Sequence, residues 1–204
     1  MSDLCRRLAP RAAVLIALAG LACDSTGPDI RPEGDLTIIS RAATSPPLEA
    51  SVLEMYAVRG QAREGAIFFQ NEVGGRGEEF LRLKFEDDAL LTDENGLPVA
   101  PGDSVRITVT VLDESLILFD FQPSGIVFNP LEMPHLEIRY AEAEGDFDDD
   151  GDSDAEDAEI EGRLAIWRQE TLTSPFIRLG SFTFEELDEI EAELPGFTRY
   201  AIAY

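Results

Sequence analysis

The acidic side chains of residues 146–157 are spaced for one kind of chemistry. The segment reads Asp146-Phe-Asp-Asp-Asp-Gly-Asp-Ser-Asp-Ala-Glu-Asp157, with acids at its first, third, fifth, seventh, ninth and twelfth positions and glycine at its sixth. A hard divalent cation takes about six to eight oxygen ligands, and a short loop supplies them only if its backbone curls around the ion. In that arrangement Asp146, Asp148 and Asp150 project inward, and Gly151 takes the positive φ that turns the chain. Asp152 offers its backbone carbonyl, Asp154 binds directly or through water, and Asp157 closes the shell. The ion implied is Ca2+. The competing reading is a solvated acidic loop, as charge runs commonly are.

Charge bears on that choice. Twelve acids lie between Glu142 and Glu161 with no Lys or Arg among them. Such a run repels itself unless it is solvated, screened or neutralised by bound cations. The whole chain carries −25 at pH 7, which argues against nucleic acid as a partner, because a polyanion would be repelled at long range.

The segment resembles the calcium loops of EF-hand and dockerin proteins. It departs from the EF-hand at Asp157, where that family has glutamate, and at Ser153, where it has an aliphatic residue. Residues 135–140 alternate Leu136, Ile138 and Tyr140 with polar neighbours and predict an entering strand instead of a helix. On the other side Asp154 is placed to cap a short helix over 155–161, with Gly162 to end it. The resemblance is therefore to half of an EF-hand, inserted at about 142–162 between strands.

Other chemistry finds little support. His135, the single histidine, follows Pro134 and reads as a surface or edge residue, not a general base. Carboxylate pairs that imitate a glycosidase are abundant in any chain this acidic. Gly74-Gly-Arg-Gly77 reads as a turn, since no helix pattern follows it to cradle a phosphate. Trp167 and Tyr140 read as core aromatics flanking the insertion. No enzyme is expected.

At the N-terminus Arg6, Arg7 and Arg11 precede an apolar run, residues 12–22, too short to span a bilayer. This is the pattern of a signal peptide over residues 1–22. The cysteine that follows, Cys23, resembles the lipidation site of bacterial lipoproteins, although Gly20 stands where that family prefers leucine. Two fates stay open: membrane attachment through a lipid on Cys23, or plain secretion. Removing residues 1–22 takes away three arginines and one aspartate, so −25 becomes −27. Cys5 leaves as well, and no intramolecular disulfide is then available.

Residues 23–47, rich in Pro, Gly, Ser and Thr, read as a tether holding one short strand at 36–40. Beyond it the apolar pattern has period two. Strands are predicted at 53–57, 66–70, 80–85, 104–112, 116–121, 126–128, 136–140, 164–169, 176–183 and 200–204. In the cleanest of these Val105, Ile107, Val109 and Val111 point inward; 116–121 is apolar on both faces, as a central strand would be. Residues 185–194 suit a helix or a strand, with a strand preferred for the second half. Repeated short strands with frequent turn signals predict an all-β fold, an antiparallel β-sandwich over residues 48–204.

Several of these segments carry a further resemblance. Leu81 to Leu91, Pro101-Gly-Asp-Ser-Val-Arg-Ile-Thr-Val-Thr-Val111, Gly125-Ile-Val-Phe-Asn-Pro130, Leu164-Ala-Ile-Trp167 and Leu194-Pro-Gly-Phe-Thr-Arg-Tyr-Ala-Ile-Ala203 together resemble the ZU-five domain, over about 75–204. Some members of that family cleave themselves at a His-Phe-Ser motif. The matching residues here are Gly196-Phe197-Thr198, so the hydroxyl is present without the activating base.

The expectation is an exported, lipid-anchored cell-envelope protein acting as a calcium-binding structural or interaction module. Its partner would be an envelope or surface protein. The alternatives are a dockerin-like docking protein and, with composition as its sole motive, an extracellular carboxylate hydrolase.

Overall fold

The structure, a computed structural model, describes residues 27–204; residues 1–22 and Cys23 lie outside the described residues. In chain order the strands are β1 (Ile30–Arg31), β2 (Val52–Val58), β3 (Arg63–Gln70), β4 (Arg76–Phe85), β5 (Leu90–Thr92), β6 (Ser104–Val111), β7 (Leu118–Gln122), β8 (Val127–Phe128) and β9 (His135–Arg139). The helix α1 (Ala155–Glu161) follows, then β10 (Ala165–Gln169), β11 (Phe176–Arg178), β12 (Ser181–Phe184), β13 (Glu189–Glu193) and β14 (Arg199–Ala203). Every strand pairing among the described residues is antiparallel. One sheet runs β1-β11-β10-β14-β7-β6-β2, a second β12-β13-β9-β4-β3, and β5 pairs with β8 alone. The fold is all-β, a sandwich as the period-two pattern predicts.

Alternation explains the core. Val105, Ile107, Val109 and Val111 of β6 join Leu81 and Leu83 of β4, Leu136 and Ile138 of β9 and Ile190 of β13 in one buried cluster between the sheets. Phe197 sits among Phe85, Phe121 and Phe128, with ring centroids 6.1, 5.5 and 5.0 Å away. Strands buried on both faces lie centrally. In β7, between β14 and β6, Phe119 and Phe121 enter the main core while Leu118 faces the other way. In β10, Ile166 faces inward while Ala165 and Trp167 face outward. Trp167 is 1% exposed, and its indole N–H donates to the Ala203 carbonyl at 3.0 Å.

That outward cluster has its own cover, supplied from within residues 27–47, the described part of the expected tether. Leu36, with Ile38, packs over Trp167, Ala201 and Ala203, and Arg31 stacks 5.4 Å from the Trp167 ring centroid. The chain continues with Ile39, 2% exposed, in the main core. Ile39 N–H donates to Ile202 and Arg41 N–H to Ser115. The strand expected at 36–40 is a series of isolated bridges, while β1 forms earlier. Polar composition hid this because a handful of apolar side chains suffices to seal a sheet's outer face.

The strand predicted at 176–183 is two. β11 pairs with β10 in the larger sheet and β12 with β13 in the smaller, the chain changing sheets at Leu179 and Gly180. Residues 185–194 resolve as a single 3-10 turn followed by β13, the strand preferred for the second half.

Candidate metal centre

The acidic loop occupies the crossover between the two sheets, leaving the smaller one at β9 and entering the larger one at β10 through α1. Its entry is held by the N-terminal segment: Ala42 N–H donates to Glu142 and Glu144 N–H to Ser40.

Within the loop the backbone curls over its own carboxylates. Asp146 accepts N–H bonds from Asp150 at 3.1 Å and Gly151 at 2.9 Å. Asp148 accepts from Asp150 at 3.2 Å, and Asp150 from Asp152 at 3.2 Å. Gly151 has φ of 101°, the positive value expected of the sixth position, and Asp149 also turns left-handed with φ of 61°.

The twelfth position is the anchor. Asp157 is 5% exposed and accepts three backbone N–H bonds, from Phe147 at 2.6 Å, Asp154 at 2.9 Å and Asp148 at 3.4 Å. These bonds, that from Asp154 first, hold its carboxyl below the usual aspartate range against the opposing effect of burial. Asp148 is shifted the other way. Desolvation raises its pKa, and the charges of Asp150, Asp157 and Asp146 add to the rise against the bond from Asp150 N–H.

Of the six expected ligands, Asp146, Asp148 and Asp157 each bring an oxygen within 4.8 Å of the others. Asp150, Asp152 and Asp154 stand outside that group. Asp154 is the N-cap of α1, accepting from Glu156 N–H at 2.7 Å, and with Asp157 forms a capping box. Helix and loop are thus built from the same carboxylates. The helix ends at Gly162 as expected, but in ordinary helical conformation with φ of −61°, so no left-handed cap is used.

Neighbouring side chains clip the loop to both sheets. Phe147 packs against the main core, and the Tyr204 hydroxyl donates to its carbonyl at the end of β14. Tyr140, 4% exposed just after β9, donates to Glu161 at 3.1 Å.

His135 is not on an edge. It opens β9, an internal strand, and its Nε2 lies 2.9 Å from Glu191 Oε2 on the solvent face. Glu137, two residues on and 7% exposed, is held by Lys84 with Arg82 3.4 Å away. Sequence reading passed over this cluster, although His135-Leu-Glu137 in a period-two strand puts both side chains on one face. Thr198 is 7% exposed, and its hydroxyl donates to the carbonyls of Gln169 and Glu170.

Compared with protein-family models, curated proteins and solved structures, the chain shows no match in any of the three. The likeness to ZU-five domains therefore rests on the strand motifs alone.

Proposed function

We propose that this chain is an exported, non-enzymatic calcium-binding module of the cell envelope, a ZU-five-like sandwich that serves a structural or interaction role toward an envelope or surface protein. The observation that carries the reading is the convergence of Asp146, Asp148 and Asp157 on one point, with Asp157 already pinned by three amides. The remaining oxygens come from Asp150, the Asp152 carbonyl, Asp154 and water. Ca2+ there offsets the desolvation and, after it, the mutual repulsion that raise the Asp148 pKa. Because the loop is the crossover between sheets, the ion acts as a fastener between them.

Calcium titration by calorimetry tests this. The wild-type chain should take up one ion, and the double variant Asp146→Asn, Asp148→Asn should take up none, since asparagine keeps an amide acceptor but removes both charges. A chain without heat of binding, or a variant binding as tightly as the parent, would defeat the reading. Attachment is tested separately. A lipid on Cys23 should carry the protein into the detergent phase with membranes, and Cys23→Ala should release it; a wild-type protein that is wholly soluble would leave plain secretion.

A further inference from the structure

The solvent face of the smaller sheet holds a second set of metal-ligating groups, independent of the acidic loop. β9 alternates, sending Leu136 and Ile138 into the core at 0% exposure and His135 and Glu137 outward. In the register of β13 and β9, Glu191 stands directly across from Glu137, with His135 on the diagonal. One donor atom each of His135, Glu137 and Glu191 lies within 4.8 Å of the others, and His135 Nε2 and Glu191 Oε2 are already 2.9 Å apart. All three stem from adjacent strands of a packed sheet, so their backbone positions are fixed before any ligand arrives.

The donor set selects the ion. An imidazole nitrogen with two carboxylate oxygens suits a borderline cation such as zinc, whereas calcium and magnesium favour oxygen alone. Zinc holds such ligands at about 2.0–2.2 Å, so modest side-chain rotation closes the triangle. His135 and Glu191 keep side-chain exposures of 33% and 22%, which leaves an approach from solvent for the ion and for a water as fourth ligand. The ion takes the lone pair of Nε2, so a proton shared there with Glu191 moves to Nδ1.

We propose that His135, Glu137 and Glu191 form a zinc-binding site, with Lys84 standing in for the ion when it is absent. The Lys84 ammonium sits on Glu137 Oε1 and Arg82 lies 3.4 Å from Oε2, so a cation already neutralises this carboxylate. Zinc competes with Lys84 for it, and the chain's net charge of −25 favours the more highly charged cation.

Zinc chloride titrated by calorimetry into the full chain carrying Asp146→Asn and Asp148→Asn keeps the acidic loop out of the measurement. One zinc should bind. In that background His135→Ala should weaken binding by more than about 100-fold, beyond what loss of a supporting partner does. Glu191→Gln should act in the same direction should the histidine variant misfold, and circular dichroism reports the fold of each. Lys84→Met should tighten zinc binding severalfold, an effect that a merely structural salt bridge would not produce. Zinc binding that survives both His135→Ala and Glu191→Gln in folded protein would overturn the proposal. So would absence of zinc binding from both the parent and Lys84→Met.

Discussion

The carboxylate of Asp157 accepts the backbone N–H of Phe147 at 2.6 Å, so the last acid of the loop clamps the residue between its first two. The side chain of that same Phe147 packs on the main core. Loop geometry and core packing are therefore coupled through one residue.

The first prediction follows from that coupling. Calcium at about 100 times its Kd should stabilise the fold by about 2.7 kcal/mol, a rise of about 2–4 °C in Tm per kcal/mol for a domain of this size. Phe147→Ala should cost about 1–3 kcal/mol, below the 3–5 typical of a fully buried ring, and should also weaken calcium binding. Thermal melts with and without chelator check both. Equal calcium affinity in Phe147→Ala would show the loop to be independent of the core.

A second prediction concerns pH. The Asp157 pKa is depressed in the folded state, so its stabilisation is present above the unfolded aspartate value of about 3.9 and is lost as pH falls through the folded value. Asp148 has the opposite sign: its raised pKa penalises the ionised form, and the penalty is relieved as pH falls toward about 3.9. Without calcium, Asp148→Asn should therefore raise Tm at neutral pH; with calcium it should lower Tm, because a ligand is gone. Melts at neutral pH in calcium and in chelator would show the crossing, and a variant that shifts Tm the same way in both would contradict it.

The third concerns the N-terminal segment. Ile39→Ala should cost about 2–5 kcal/mol, as for any buried aliphatic side chain, and Leu36→Ala should open the outer cluster around Trp167. Denaturant midpoints and tryptophan emission report these effects. A free tether would show neither.

The fourth concerns Thr198. Its hydroxyl is held by two carbonyls and Phe197 is locked among core rings, so the purified chain should stay intact between Phe197 and Thr198 on long incubation. Intact mass measurement decides it. Thr198→Ala should cost about 1–3 kcal/mol by leaving those carbonyls short of a donor, with no change in chain length.

Local pattern determined a good deal of this protein. The spacing of Val105, Ile107, Val109 and Val111 announced a half-buried strand, because side chains alternate between faces whatever the neighbours are. Asp154 and Gly162 bounded the helix, because capping is a matter of adjacent backbone amides, and Gly151 marked the loop's turn for a similarly local reason. What tertiary structure alone decided was every relationship across the chain. It laid Leu36 over Trp167, sent the two halves of 176–183 to different sheets, and drew Asp146, Asp148 and Asp157 together out of the six acids of the loop pattern. It also brought Glu191 to His135 across 56 residues. Such pairings depend on strand order and register, which arise from how two sheets bury their apolar faces against each other.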